Sequence, residues 1–294
     1  MAQKGKINLK SKKRPLALRR RQKRIIIVLV SFVLLFSGVY GLSRISFSPN
    51  VSISAVHVRG ANIVPADALR KIVENQTAKP FWKLFSKNNI LLAPQANIEK
   101  DISNSFKTIE SVDVSFDSLH DLVVSVEERS PVALWCDSSE NDPASKKCFF
   151  VDKTGYIFAE APLFEGNVYL VWYGFIEKEN RESENGETAE KINPIGERLM
   201  PEDSFKNLNE FIENVSRIGL KTVSVLEISE NELEFHLSQG GVIIINRKLG
   251  YNQTLENLQS IVSAKQVELR GEFLKKVETI DVRFTGKAFV KLKD

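Results

Sequence analysis

A run of uncharged residues near the amino end constrains this chain more than any other feature. The run reads IIIVLVSFVLLFSGVYGLS, covers residues 25–43, and lies between Arg24 and Arg44. A helix rises about 1.5 Å per residue, so this run would extend about 28 Å, close to the hydrocarbon thickness of a bilayer. The sequence therefore predicts a retained transmembrane helix over 25–43. A cleaved signal peptide is the alternative, although the run is long for one and no A-x-A site follows Gly38.

Charge is distributed unevenly on the two sides of this run. Residues 1–24 contain eleven Lys or Arg and no acid, which leaves 30 basic residues against 37 acidic ones in the remainder. Because basic flanks stay in the cytoplasm, we predict a single-pass protein of the cell membrane, with a cytoplasmic tail (1–24) and residues 44–294 outside the cytoplasm. The tail has no aromatic residue to stack on bases, so its charge favours contact with the lipid bilayer over nucleic-acid binding.

The first folded part is predicted to be a small α+β domain over residues 53–128, after a linker at 44–52. Alternating and helical spacings of apolar residues predict the elements in the order β-α-α-β-β. One sheet covered on one face by two helices is a stable layered arrangement. The predicted elements are a strand at 53–60, helices at 64–75 and 94–106, and strands at 111–116 and 121–129.

A β-rich domain with flanking helices is predicted over residues 129–294, so the fold class is α+β throughout. Its predicted strands lie at 131–136, 148–158, 168–173, 222–228, 232–237 and 241–246. Its predicted helices lie at 201–219 and 251–267. The charged segment 177–191 has no apolar spacing and is predicted to be a mobile loop.

These patterns together resemble the FtsQ/DivIB family of cell-division proteins. The stretch VHVRG…ALRKI…SVDVSFDSLHDLVVSVEERSPVALW resembles its POTRA domain, and FFVDKTGYIF resembles its next hairpin, with Asp152 and Gly155 in the turn. The stretch ETIDVRFTGKAFVK resembles its final strand. The resemblance implies a POTRA domain at 53–128 and a non-catalytic divisome scaffold at the division septum. It also implies FtsB/DivIC-like and FtsL-like membrane proteins as partners, which this chain would link to septal wall synthesis.

The last residues, VETIDVRFTGKAFVKLKD, alternate apolar and polar side chains and predict one strand of about 11 or 12 residues. Such a strand either pairs within its own sheet on both sides or accepts a partner strand along an open edge. Arg283 would offer a fork to a partner carboxylate, and Gly286 is placed on the apolar face. The candidate contact residues are Arg283, Phe284, Gly286, Lys287 and Phe289, of which the resemblance itself implies the first three.

No arrangement of residues typical of an enzyme is found. His57, His120 and His236 belong to no catalytic or metal-binding motif, so we predict no enzymatic activity, no cofactor, no metal and no small-molecule substrate. An alternative function is a membrane-anchored POTRA adaptor for secreted or outer-membrane client proteins.

The two cysteines, Cys136 and Cys148, flank a polar loop between two predicted strands. Antiparallel pairing of those strands would bring the thiols into bonding range, and a disulfide persists outside the cytoplasm. We predict a structural disulfide, with two free thiols as the alternative.

Overall fold

The computed structural model describes residues 16–137, 147–174, 176, 193–268 and 272–293, with side chains except at 16–19 and 266–268. The loop predicted at 177–191 therefore lies outside the described residues. The chain divides into two compact units. The first unit comprises Met1–Ile102 and Val112–Val126, and the second unit comprises Ser103–Ser111 and Glu127–Asp294.

The first unit begins with helix α1, Leu16–Ser46. Its stretch Arg20–Ser46 is long and apolar enough to cross a membrane, and the apolar window within it is not buried in the protein. The helix extends beyond the predicted span at both ends, so residues 44–46, predicted as linker, are helical. It ends before Pro49, because the residue preceding a proline is disfavoured in helical conformation, and Ser48 is extended.

Residues 55–128, most of which belong to the first unit, have the predicted order β-α-α-β-β. The elements are β1 (Ala55–Arg59), α2 (Ala66–Ala78), α3 (Gln95–Ser105), β2 (Ile109–Phe116) and β3 (Asp121–Glu128). Among the described residues these strands form a three-stranded sheet in the order β1-β3-β2, with β1 parallel to β3. The helices bury apolar side chains that recur every three or four residues. These are Leu69 and Val73 of α2 and Ile98 and Ile102 of α3.

In the second unit nine of the described strands form one mixed sheet. The first five are β4 (Ala133–Cys136), β5 (Cys148–Val151), β6 (Ile157–Ala161), β7 (Leu170–Tyr173) and β8 (Thr222–Ser229). The other four are β9 (Glu232–Leu237), β10 (Val242–Asn246), β11 (Val277–Phe284) and β12 (Lys287–Leu292). Their spatial order is β12-β11-β10-β9-β8-β7-β4-β5-β6. The described chain is thus a mixed α+β structure with an apolar amino-terminal helix.

Helices of the second unit cover its core. They are α4 (Glu202–Arg217), α5 (Tyr251–Glu268) and the short α6 (Phe273–Lys276). The helix predicted at 201–219 is confirmed as α4, whose buried stripe is Phe205, Leu208, Phe211, Ile212 and Val215. Phe205 packs on Trp172 with ring centroids 5.5 Å apart, and Phe211 meets Phe235 at 5.8 Å.

Two segments predicted as single strands are hairpins, and for one of them, 148–158, the resemblance also implies a hairpin with Asp152 and Gly155 in the turn. Segment 148–158 contains β5 and the start of β6, joined by a turn in which Gly155 adopts φ +79° and donates to the Asp152 carbonyl at 3.0 Å. The prediction of a single carboxyl-terminal strand of about 11 or 12 residues is wrong, because two strands, β11 and β12, pair antiparallel there. Apolar and polar residues continue to alternate through Thr285 and Gly286, so the polarity pattern does not show this second turn.

Cys136 and Cys148 lie directly opposite each other in the β4–β5 ladder and are joined by a disulfide. Both residues are buried, in a cluster with Leu134, Ala161 and Tyr173. The bridge therefore closes a loop whose two ends the sheet already holds together.

Candidate functional site

The carboxyl-terminal hairpin forms one edge of the large sheet. Strand β11 pairs in parallel with β10, where Ile243 faces Ile280, and antiparallel with β12. Strand β12 is last in the spatial order, and no strand of the described residues lies beyond it. Backbone groups on the outer flank of a terminal strand have no ladder partner, so they can pair with an added strand.

The hairpin is held to the sheet by its apolar face. Val277, Ile280 and Val282 of β11 are fully buried. Val290 and Leu292 of β12 are partly buried against the same core. Strand β12 is therefore a packed part of the fold, whose position depends on burial as well as on ladder hydrogen bonds to β11.

Thr285 and Gly286 form the two-residue turn, since Phe284 and Lys287 are paired across it. Gly286 has φ +69°, in the left-handed region that glycine adopts at least cost. A Cβ atom on Gly286 would meet no atom within 4 Å. Gly286 is thus required by backbone conformation, and its predicted place on the apolar face of a continuous strand is wrong.

Arg283 is engaged within the protein. Its Nε and Nη2 donate to Oδ1 and Oδ2 of Asp281 at 3.0 and 2.7 Å, and its Nη1 donates to Oε2 of Glu232 at 3.0 Å. The hydrogen bond from Arg283 lowers the pKa of Asp281, against the opposing effect of burial. The same bond to Asp281 raises the pKa of Arg283. The guanidinium therefore ties β11 to β9, and a partner carboxylate would have to displace Asp281 or Glu232 to bind it.

Phe284 and Phe289 form an exposed aromatic pair beside the turn. Their side chains are 46% and 58% exposed, and their rings meet edge to face at 5.7 Å. The Arg283 guanidinium lies 5.6 Å from the Phe284 ring. Exposed aromatic surface next to an open strand edge is the type of surface that a partner buries.

Lysines give this edge a basic character. Lys287, at the turn, is exposed, and no described acidic side chain forms an ion pair with it. Lys291 by contrast is paired with Glu278, with Nζ 2.7 Å from Oε1. An added strand with acidic side chains near the hairpin turn would complement Lys287.

The chain matches no protein-family model and no curated protein.

The structure brings the five predicted contact residues together on one hairpin, but in different surroundings. Phe284, Lys287 and Phe289 are exposed, Gly286 shapes the turn, and Arg283 is held by internal acids. The two acids, Asp281 and Glu232, were missed by the sequence reasoning. Asp281 could have been found, because residues two apart on a strand share a face. Glu232, separated from Arg283 by 51 positions, gave no local signal.

Two histidines that could carry chemistry are paired with acidic side chains. His236 contacts Glu234 at 2.9 Å on β9, and His57 contacts Asp121 at 3.7 Å in the first unit. In the part of the chain that the structure describes, no group of three or more His, Cys, Asp or Glu could hold a metal ion. The exposed features of the hairpin are thus an open strand edge, an aromatic pair and a lysine.

Proposed function

We propose that this chain is a non-catalytic scaffold of the bacterial division machinery, which binds its partner by strand addition along β12. The observation that carries the proposal is the edge position of β12, which pairs with β11 on one flank and with no described strand on the other. Main-chain hydrogen bonds would supply affinity, and side chains on alternate positions would supply specificity.

The apolar helix supports placing this edge outside the cytoplasm. Helix α1 contains one stretch that could span a bilayer, and eleven basic residues precede its uncharged run. Basic flanks remain cytoplasmic, so the rest of the first unit and the whole second unit would lie beyond α1, on the outer side of the plasma or inner membrane. The Cys136–Cys148 disulfide fits this location, since disulfides persist outside the cytoplasm.

The identity of the partner comes from the resemblance to FtsQ/DivIB proteins. The order β-α-α-β-β over Ala55–Glu128 is compatible with a POTRA domain in the first unit. The proposed partners are an FtsB/DivIC-like and an FtsL-like protein, both membrane-bound. Anchoring this chain in the same membrane would raise the effective concentration of partner and scaffold at the septum.

The exposed side chains of the hairpin have distinct proposed roles. Phe284 and Phe289 would contact apolar side chains of the added strand, and Lys287 would face an acidic one. Arg283 would act indirectly, by holding β11 in place through Asp281 and Glu232.

Binding by the aromatic pair can be tested with the full-length protein in the source cell. The double variant Phe284→Ala/Phe289→Ala removes exposed rings and leaves the buried face of the hairpin unchanged. Because an interface aromatic that is a hot spot contributes about 2 kcal/mol, or about 30-fold in affinity, we expect loss of both rings to weaken partner binding by about 30-fold to 1,000-fold and to reduce co-purification accordingly. Unchanged recovery of both partners would refute this role.

A matched control lies in the segment after β6, which forms the opposite edge of the sheet. Leu163 and Val168 are more exposed than either phenylalanine, at 78% and 63%. The variant Leu163→Ala/Val168→Ala should retain both partners. Strand addition itself is tested by amide hydrogen exchange, which should slow in β12 when the partners bind. Exchange in β12 that is the same with and without partners would exclude pairing along this edge.

Localisation separates division from the alternative adaptor role. A fluorescent fusion to the cytoplasmic tail should collect at midcell in dividing cells. A uniform membrane signal, together with recovery of secreted or outer-membrane clients, would favour the POTRA adaptor instead.

A further inference from the structure

A second apolar surface lies in the first unit, at the carboxyl end of α1. It is formed by residues 81–92, between α2 and α3. The exposed apolar side chains of this segment are Phe81 (48% exposed), Trp82 (79%), Leu84 (45%), Leu91 (77%) and Leu92 (42%). We call this set the apolar loop. Side chains of this size are ordinarily covered when they cluster, so something outside the described chain is expected to cover them.

Hydrogen bonds attach the apolar loop to the last turn of the apolar helix. The hydroxyl of Ser43 donates to the Leu84 carbonyl, and the amide of Ser86 donates to the Ser46 hydroxyl at 3.0 Å. The Asn89 side-chain amide donates to the Ser46 carbonyl at 3.1 Å. Both Ser46 and Asn89 are buried, at 7% and 1% exposure, so water does not compete for these bonds.

Asn89 also organises the second half of the loop. Its Oδ1 accepts from the amides of Leu91 and Leu92 at 3.0 and 2.9 Å. The same residue therefore binds the helix end with its amide group and fixes two exposed leucines with its carbonyl oxygen. The positions of these leucines are set relative to the helix.

The first half of the loop is a tight turn that displays Trp82. Phe81 and Phe85 exchange backbone hydrogen bonds at 2.7 and 3.1 Å. Trp82 and Lys83 adopt φ +48° and +61°, and they are the only non-glycine residues with positive φ in the described chain. Such conformations are unfavourable for residues with a side chain and are found preferentially at functional positions. The turn holds Trp82 outward, stacked on Phe81 at 5.0 Å.

The attachment fixes the height of the loop along the helix axis. The uncharged run of the helix ends at Ser43, and Ser46 lies one turn, about 5 Å, further along the axis. The loop is bonded to both residues, so it lies level with the headgroups of any bilayer that α1 spans. Tyr40, Ile45 and Phe47, each within three residues of Ser43 or Ser46 in sequence, are exposed as well.

The residue types of the apolar loop are those typical of a membrane–water interface. Tryptophan concentrates at membrane–water interfaces, where its apolar ring and its N–H group are both accommodated. Lys79, Lys83 and Lys87 lie in or beside the loop, and no acidic residue occurs between residues 79 and 94. Basic side chains next to inserted apolar ones favour a surface of anionic phospholipid.

We propose that the apolar loop inserts into the outer headgroup region of the membrane and thereby holds the first unit against the bilayer at a second point. The occupant is anionic phospholipid, chosen over a protein because the loop is hydrogen-bonded to the membrane helix at headgroup height. This inference does not rest on the division role, and it holds equally if the chain serves another process.

The test uses the full-length protein in nanodiscs of phosphatidylethanolamine and phosphatidylglycerol. The chain has three tryptophans, and the other two, Trp135 and Trp172, are 8% and 0% exposed in the second unit. The difference in emission between wild type and Trp82→Phe therefore reports Trp82. An interfacial apolar face lies about 5–10 Å into the headgroup and acyl boundary, so acyl chains brominated near the headgroup should quench this emission by about half or more.

A tryptophan elsewhere in the first unit provides the control. Ile63 is 69% exposed and lies beyond the opposite end of β1. In the variant Trp82→Phe/Ile63→Trp, brominated lipid should leave the emission unchanged. Trp82 emission that is equal in brominated and ordinary lipid would overturn the proposal. If acrylamide then quenches Trp82, the loop is in water; if it does not, a protein surface covers the loop.

Discussion

Arg129 and Asp152 form an ion pair inside the second unit, with side chains only 14% and 2% exposed. Oδ1 of Asp152 accepts from the amide and hydroxyl of Thr154 at 2.8 and 2.7 Å and from the amide of Tyr156 at 3.1 Å. The Arg129 guanidinium lies 4.2 Å from the centre of the Tyr156 ring. One carboxylate thus organises the β5–β6 turn and neutralises a largely buried cation.

Replacing Asp152 should destabilise the second unit strongly. Breaking a buried pair leaves an uncompensated charge, so Asp152→Asn should lower the free energy of unfolding at pH 7 by about 3–5 kcal/mol. Urea unfolding followed by the emission of Trp135 and Trp172 measures this. Asp113→Asn, at an exposed position of β2, is the control and should change stability by less than about 0.5 kcal/mol. A small effect of Asp152→Asn would mean that Arg129 finds another partner.

The same carboxylate makes stability depend on pH. Burial raises the pKa of Asp152, but hydrogen bonds from Thr154, Tyr156 and Arg129 outweigh it, so the pKa lies below its ordinary value. A carboxylate with a lowered folded-state pKa stabilises the fold above the unfolded pKa, about 3.9, and this stabilisation is lost as pH falls through the folded value. The difference in stability between wild type and Asp152→Asn should therefore shrink below about pH 4. A difference independent of pH would contradict this assignment.

Asp281→Asn tests the anchoring of the edge hairpin. The substitution removes the bidentate acceptor of Arg283, so we expect a loss of about 1–3 kcal/mol and faster amide hydrogen exchange in β12. Because the Arg283 hydrogen bond lowers the pKa of Asp281, this loss should also diminish below about pH 4. If exchange in β12 is unaffected, then Arg283 does not position the hairpin.

Alanine substitutions at two glycines distinguish the cost of backbone strain from the cost of a steric clash. Gly155 and Gly166 share φ +79°, but a Cβ atom on Gly155 would lie 2.9 Å from Cγ of Phe205, whereas one on Gly166 would meet nothing within 4 Å. Gly166→Ala should lose about 1 kcal/mol from strain alone, and Gly155→Ala should lose at least about 1 kcal/mol more. Thermal unfolding of both variants measures the difference. Equal losses would show that Phe205 moves aside freely.

The disulfide should stabilise the second unit by restricting its unfolded chain. Closing a loop of this length contributes about 3 kcal/mol, so the double variant Cys136→Ala/Cys148→Ala should unfold at lower urea concentration than wild type. Adding reductant to unfolding wild type should reproduce the loss, and the double variant should not respond to it. If reductant also lowered the stability of the double variant, then its effect on wild type would not come from this disulfide alone.

Most of the helices and strands could be predicted from the sequence, because they follow from the local spacing of apolar residues. The apolar helix, the order β-α-α-β-β and the stripe of α4 depend on side chains within one or two turns or on alternate strand positions. Spacings of this kind are set by the geometry of each element alone. The Cys136–Cys148 disulfide could also be predicted from the sequence, because it closes a short loop between neighbouring strands.

The carboxyl-terminal turn and the long-range pairs were decided only by the tertiary structure. Thr285 and Gly286 continue the alternation of polarity, so nothing local shows that one positive φ at Gly286 folds the chain back and makes β12 the edge. The sequence predicted that Arg283 would bind a carboxylate of a partner protein. Its ion pair with Glu232 within the chain could not be foreseen, because Glu232 lies 51 positions away on another strand. The hydrogen bonds from Ser46 to Ser86 and Asn89 are likewise invisible in sequence. Each of these features depends on which segments of the chain meet in space. That arrangement is selected by the many contacts of the folded chain acting together, and not by any one local stretch.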